Sequence, residues 1–374
     1  MRILVVNWQD IKNPLAGGAE VHLHEVFSRI VRMGHAVTLS CSTFQGALPE
    51  EDINGIHVIR EGGRYLFNFR FAATYLSRFK SGNFDIVVDD MNKIPFFTPL
   101  YVSQPLYGIT HHLFGKSIFL EVNALMASYV YLMEQAAVWL YKRKRIPFIV
   151  GSPSTERELH ERKFDSRTVA LVNYGVDHRT HTSQGATESP TPLIGYFGRL
   201  KKYKCVDHLL RALPRVVKEV PELKVIVVGE GDDRPRLESM TRDLGLTGSV
   251  EFTGFVSEER KVQLLQHMWF KVTTSSKEGW GLTVIEANAC GTPVLASNVQ
   301  GLRDAVKDGE TGLLYEYGNV RDLEGKLLLL LKDVSLRQRL AANALRWSEN
   351  FDWDEAARQT LLLLERRVKE RKSP

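Results

Sequence analysis

Cysteine is scarce: three residues in a chain of 374, Cys41, Cys205 and Cys290, odd in number and far apart. That spacing excludes a disulfide framework and a cysteine-based metal finger, and it points to a reducing compartment. Long hydrophobic runs are missing too. The most apolar stretch, 118–141, is interrupted by Glu121, Asn123, Glu134 and Gln135, so no membrane-spanning helix is expected. The opening MRILVVNW is too short an apolar run for a signal peptide and reads as a first strand, which makes the cytoplasm the expected location. Neither sign of charge dominates, since 49 Lys and Arg face 44 Asp and Glu. The basic clusters YKRKR (141–145) and RRVKERK (366–372) lack the interleaved aromatics of a nucleic-acid-binding face, so no nucleic-acid partner is expected. The pair His111–His112 has no Cys or His cluster to join it in a zinc site. Asp352 and Asp354 form a D-x-D at a helix start, where capping accounts for them. No metal and no cofactor are expected.

What is present is ample core, with 44% hydrophobic and 25% charged residues, in a chain longer than a usual single domain. The same grammar runs through it twice. In the first half ILVVN (3–7), AVTLSC (36–41), IHVIR (56–60), FDIVVDD (84–90), PFIVG (147–151) and VALVN (169–173) are short runs rich in β-branched residues. The second half has LIGYFGR (193–199), LKVIVVGEG (223–231), VEFTGF (250–255), PVLAS (293–297) and TGLLY (311–315). Helical patterns lie between them, as at 19–34, 206–220 and 258–268. Short apolar strands alternating with helices predict parallel sheets covered on both faces. HTSQGATESPTP (181–192) is rich in Ser, Thr, Gly and Pro and reads as a linker. The expected organisation is therefore α/β with two doubly wound, Rossmann-like domains, 1–183 and 193–351, a linker over 184–192, and a last helix within 352–374. In such sheets ligands bind at the C-terminal ends of the strands.

The most informative run is EGWGLTVIEANACGTPVLAS (278–297). LTVIEANA reads as a helix entered through glycines, and GTPVLA as a short buried strand. The helix entrance offers unpaired N–H groups and the positive end of a dipole, a natural anion site. Glu278 stands at that mouth, and Glu286 lies about two turns further along a similar face. Phosphate oxygens at the N–H groups and sugar hydroxyls at the acids would fill such a site.

Two glutamates with seven residues between them, E-G-x-G-L before and G-x-P-V after, resemble the signature of the retaining GT-B glycosyltransferases, family 4. The resemblance covers nearly the whole chain and is strongest over 194–314. It implies two facing Rossmann-like domains, with 351–370 as a helix crossing back onto the first. It also implies metal-independent transfer of a hexose-type sugar from a nucleotide diphosphate sugar to a sugar or lipid-linked acceptor, in cell-surface glycan or glycolipid synthesis. Glu278 would then hold sugar hydroxyls and Glu286 the ribose, with the backbone of Gly279, Trp280, Gly281 and Leu282 at the diphosphate. GRLKKYK (198–204) is similar to the family's G-R-L segment. Arg199 and Lys204 supply a planar fork and a compact charge for the departing diphosphate, although Cys205 stands where the family usually has glycine. In NPLAGGAEVHLHE (13–25), Gly17 and Gly18 match a glycine pair near the donor phosphates; Glu20 also suits a first-turn acid. In ITHHLFG (109–115) the H-x-L-F-G spacing favours His111 over His112 as the histidine near the transferred sugar. GEGDDR (229–234) lacks the third glycine of a dinucleotide fingerprint; in the family this turn lies beside the base.

Two rival readings are a GT-B sugar-nucleotide epimerase, against which the E-x7-E pattern argues, and a basic nucleic-acid-binding protein. The apolar helix 118–141 with its cationic YKRKR end reads either as a domain-core helix with basic residues at its dipole's negative end, or as a helix resting on an anionic membrane surface.

Overall fold

The structure, a computed structural model, describes residues 1–64, 66–91 and 93–372. The chain forms two compact units, Met1–Gly175 with Trp353–Pro374, and Val176–Asp352. Ser373 and Pro374, part of the expected last segment, lie outside the described residues.

The first unit is built on an eight-stranded sheet: β1 (Arg2–Val6), β2 (Ala36–Cys41), β3 (Glu50–Ile53), β4 (Ile56–Arg60), β5 (Ile86–Met91), β6 (Leu106–Thr110), β7 (Phe148–Val150) and β8 (Val169–Leu171). Their order in space is β3-β4-β2-β1-β5-β6-β7-β8. Every pairing is parallel except β3 with β4. β1 and β5 are central, and their Ile, Leu and Val side chains are fully buried, as a strand covered on both faces requires. The second unit has six strands, β9 (Leu193–Phe197), β10 (Lys224–Val228), β11 (Val250–Gly254), β12 (Phe270–Thr273), β13 (Val294–Ser297) and β14 (Gly312–Tyr315). They pair in parallel in the order β11-β10-β9-β12-β13-β14. One face of this sheet, with Ile194, Val225, Phe270, Val272 and Leu295, packs with Leu209, Leu213 and Val216 of the helix Val206–Glu219.

Three strands escape the apolar-run reading. β3 is EEDI, a polar edge strand; β6 carries Gly108, and β12 carries Lys271. The apolar helix also begins later than expected, at Ala124, and runs to Arg143. Asn123 sets that start, because its side chain accepts from the Met126 N–H at 3.0 Å and caps the first turn. Residues 115–120 form a 3-10 segment before it.

The boundary between the units differs from the expected 184–192 linker. Residues from Val176 onward belong to the second unit, and the polar segment, although largely exposed, is hydrogen-bonded to it. The Val176 N–H donates to the Phe351 carbonyl, Gln266 to the Thr182 carbonyl, and the Trp269 indole to the Ser189 carbonyl at 2.8 Å. Arg337 pairs with Glu188. The expected terminal helix is Trp353–Lys372, which belongs to the first unit and packs on the helix Gly18–Arg32. Asp354, in its first turn, accepts from Arg29 Nε at 2.6 Å, an ion pair where the sequence suggested a cap.

Candidate active site

In the second unit the helix Leu282–Ala289 coincides with the expected LTVIEANA. Glu278 stands just before it and accepts from Lys204 Nζ at 2.5 Å and from Ser275 Oγ at 2.6 Å. Burial alone would push the Glu278 carboxyl up; the neighbouring ammonium and these bonds outweigh burial and hold it below the usual carboxylate range. The same balance, read from the other side, raises Lys204. The sequence-predicted cation and the first acid of the motif are thus in direct contact. Arg199 lies on the same turn, its Nη2 at 3.2 Å from the Tyr203 hydroxyl. Trp280 is buried, with its ring 5.1 Å from that of Phe351.

Two close backbone approaches hold this corner. The GRL turn lies against the GEG turn: the Leu200 N–H donates to the Glu230 carbonyl at 2.8 Å. A Cβ at Gly229 would stand 2.0 Å from the Gly198 carbonyl oxygen, so GEG serves here to seat Arg199's turn. Likewise a Cβ at Gly301 would stand 2.3 Å from the Glu278 carbonyl oxygen. Cys205, in the family's glycine position, adopts φ 51, a left-handed conformation that costs a side chain about 1–2 kcal/mol. The tight turn therefore forms without glycine.

Glu286 belongs to a second cluster that sequence reasoning did not assemble. Lys261 Nζ lies 3.0 Å from Glu286 and 2.7 Å from Glu258, whose other neighbour is His181 Nε2 at 3.0 Å. Glu258 is held down at about 2: burial raises it, but the His181 bond and the Lys261 charge prevail. Ligand atoms of His181, Glu258 and Glu286 lie within 4.8 Å of one another, a spacing that a metal could use. The Lys261 ammonium already bonds both carboxylates.

In the first unit Gly17 caps the helix Gly18–Arg32, and its N–H donates to Glu20 at 2.7 Å. Glu20 is thus the first-turn acid that the sequence offered as one reading. Burial raises its carboxyl against that bond. The ring of His22, one turn on from Gly18, is 5.2 Å from that of His111. His111 Nε2 lies 3.0 Å from Asp90 at the end of β5, and its Nδ1 meets the Tyr174 hydroxyl. Burial would lower the imidazole; the Asp90 carboxylate overrides that and raises it. His22 has no such partner and is pushed well down by burial. His112 instead packs on Phe114. Gly17, Gly18 and His111 therefore converge in one corner with Glu20, joined by Asp90 and Tyr174, which no local pattern singled out.

Comparison with known proteins gives the family. Residues 177–347 match the model for glycosyl transferases group 1, and residues 16–180 match glycosyltransferase family 4. The two matches together run through most of the chain, which belongs to the group 1 GT-B glycosyltransferases. A D-inositol 3-phosphate glycosyltransferase of Rhodococcus erythropolis is 38% identical over 172 residues, 44% of this chain and 39% of that protein. One from a Nocardioides species is 33% identical over 221 residues, 53% of this chain and 48% of that protein. The chain thus matches less than half the length of these curated relatives. Among solved structures, sucrose-phosphate synthase from Thermosynechococcus elongatus has a TM-score of 0.81 at 20% identity, covering 98% of both chains. Anabaena Alr3699/HepE in complex with UDP and glucose has a TM-score of 0.76 at 20% identity, covering 98% of this chain and 99% of that one.

Proposed function

We propose that this chain is a retaining, metal-independent glycosyltransferase that moves a hexose-type sugar from a nucleotide diphosphate sugar to an acceptor hydroxyl, in cell-surface glycan or glycolipid synthesis. The observation that carries this reading is the Lys204–Glu278 pair beside Arg199 at the mouth of the helix Leu282–Ala289. Arg199 and Lys204 neutralise the charge that develops on the departing diphosphate, the task a metal ion performs elsewhere. The backbone from Gly279 to Leu282 adds N–H donors. Glu278 orients sugar hydroxyls and Glu286 the ribose; Gly17 and Gly18 serve the donor phosphates, and His111 lies near the transferred sugar. The acceptor's proton passes to the donor phosphate on the face from which the sugar departs, so no protein base is assigned. The bonds from Lys261 to Glu258 and Glu286 support a site balanced without a metal. The name D-inositol 3-phosphate glycosyltransferase of one relative, and the UDP and glucose bound in a solved structure of similar fold, support the substrate class.

A lipid-linked acceptor at an anionic membrane surface is supported by the helix Ala124–Arg143. Leu125, Leu132 and Trp139 are exposed along one stripe of it, at 85%, 60% and 59%, and Arg143 closes the stripe with its guanidinium over the Trp139 ring. An apolar stripe ending in Lys142–Arg145 matches the interfacial layer of an anionic bilayer.

Thermal shift and donor turnover against UDP-, GDP- and ADP-sugars test the reading, since a bound donor stabilises the fold by mass action. We expect one base to stand out, the product to keep the donor's anomeric configuration by NMR, and EDTA to leave turnover intact. An inverted anomer, or EDTA inhibition reversed by magnesium or manganese, would sink the mechanism.

A further inference from the structure

Lys271 is a buried amine of the donor corner that the reading above leaves unused. It sits on β12, between β9 and β13, and is fully buried. Its neighbours Phe270 and Val272 point into the core beside the helix Val206–Glu219. Strand alternation therefore puts Lys271 and Thr273 on the opposite face, where the helix Leu282–Ala289 contacts β12. Its Nζ donates to Thr273 Oγ1 at 2.6 Å. A single hydroxyl is a poor substitute for the hydration of an ammonium, and an interior lysine responds by shedding its proton. Burial accordingly brings Lys271 down to about 7.

The charges around it come from every side. Glu286 of the helix Leu282–Ala289 and Glu278 of the segment before it favour its charged form; Lys204 and Lys261 oppose it. These four are already committed to one another, Lys204 to Glu278 and Lys261 to Glu286 and Glu258. With Arg199 the corner holds three fixed cations (Arg199, Lys204, Lys261) against three carboxylates (Glu258, Glu278, Glu286). A diphosphate diester brings two more negative charges to this balanced set. In a low-dielectric interior, the cheapest response is to complete the charge on an amine that is only partly protonated near neutrality.

We propose that Lys271 is the variable cation of the donor site, taking up a proton from solvent when the diphosphate of a nucleotide sugar binds. The proposal rests on the donor-site reading above. The proton moves onto the Lys271 amine, no bond to the donor forms, and the amine returns the proton when the nucleoside diphosphate leaves.

Isothermal titration with UDP-glucose and GDP-mannose, whose diphosphate diesters do not titrate near neutrality, measures the uptake from the dependence of the heat on buffer ionisation. For whichever donor binds, we expect uptake approaching one proton at pH 8 and close to none at pH 6. Above neutrality the affinity should weaken by up to about tenfold per pH unit, the limit for one linked proton. Lys271→Met, which keeps an unbranched chain one atom shorter and removes the amine, should show no uptake and a flat affinity profile. A ligand-free arm follows melting temperature against pH. Lys271 is depressed from 10.5 to about 7 in the fold, so the unfolded chain holds more protons between those values. Its contribution to stability is therefore least favourable below pH 7 and improves as pH rises towards 10.5. The gain in melting temperature from Lys271→Met should be largest at pH 6 and shrink by pH 9. Unchanged proton uptake in Lys271→Met, or none in the wild type at any pH from 6.5 to 9, overturns the proposal. Binding of neither nucleotide sugar overturns the donor-site reading and the coupling with it. The stability arm reads the amine's titration separately.

Discussion

At the residue scale, Arg199 and Lys204 separate by what each leaves behind. Replacing either with alanine should remove about 3–4 kcal/mol of barrier lowering, the usual cost of losing a preformed charge contact at a developing anion. Lys204→Ala also strands the Glu278 carboxylate, whose side chain is only 18% exposed, so it should lower the melting temperature as well. Arg199→Ala should leave stability unchanged. The double variant Lys204→Met with Glu278→Gln should recover stability without recovering turnover. Near-normal transfer by either alanine variant would remove that residue from the mechanism. Glu278, Lys204 and Glu286 were legible because they fall in contiguous motifs with fixed spacing. Their partners were not: Lys261 and Glu258 of one helix and His181 of another segment gather at Glu286, and Asp90 and Tyr174 reach His111 from the end of β5 and from the loop after β8. Lys271 carried the wrong signal altogether, since an isolated lysine in a short run reads as solvent-facing.

At the scale of elements, the donor segment depends on a glycine well outside its own motif. Gly301 approaches Glu278 and Gly279 so closely that a methyl group cannot enter without moving them, and its φ of 80 is itself unfavourable for other residues. Gly301→Ala should therefore destabilise the second unit by about 1–3 kcal/mol and impair donor binding more than its distance in sequence from Glu278 suggests. Thermal shift with and without the selected nucleotide sugar reads both effects; an unchanged donor-induced shift would show that the segment tolerates the displacement. Buried parallel strands were readable from their β-branched runs, and the helix Leu282–Ala289 from its glycine entry. The antiparallel edge strand β3 was not, because its EEDI composition fits a solvated rim as well as a loop. The start of the helix Ala124–Arg143 was obscured by apolar residues upstream, and only the Asn123 cap sets its first turn.

At the scale of the molecule, none of the helices among the described residues is long and apolar enough to cross a membrane. The exposed stripe of the helix Ala124–Arg143 therefore bears on surface attachment. Lys142, Arg143, Lys144 and Arg145, at about 1 kcal/mol each near anionic lipid, should produce salt-sensitive binding to anionic liposomes. Neutralising these four should weaken flotation while leaving hydrolysis of soluble donor unchanged. No flotation of the wild type even at low salt would favour a small soluble acceptor instead. The two-domain organisation was legible from the repeated strand–helix grammar, but the boundary was not. Ser, Thr, Gly and Pro signal irregular backbone, and irregular backbone at 176–192 is still fastened to the second unit by hydrogen bonds.

The helix Trp353–Lys372 completes the first unit only after the whole second unit has passed through the sequence. During synthesis, the half that emerges first must wait for the half that emerges second. Until then the face of the helix Gly18–Arg32 that receives this helix stays uncovered, and Arg29 lacks Asp354. The second unit, continuous in sequence, meets no such delay. Chains that end at Asp352 should accordingly show a protease-resistant second unit beside a first unit still open to cleavage. Equal resistance of both would mean that the first sheet closes without its last helix.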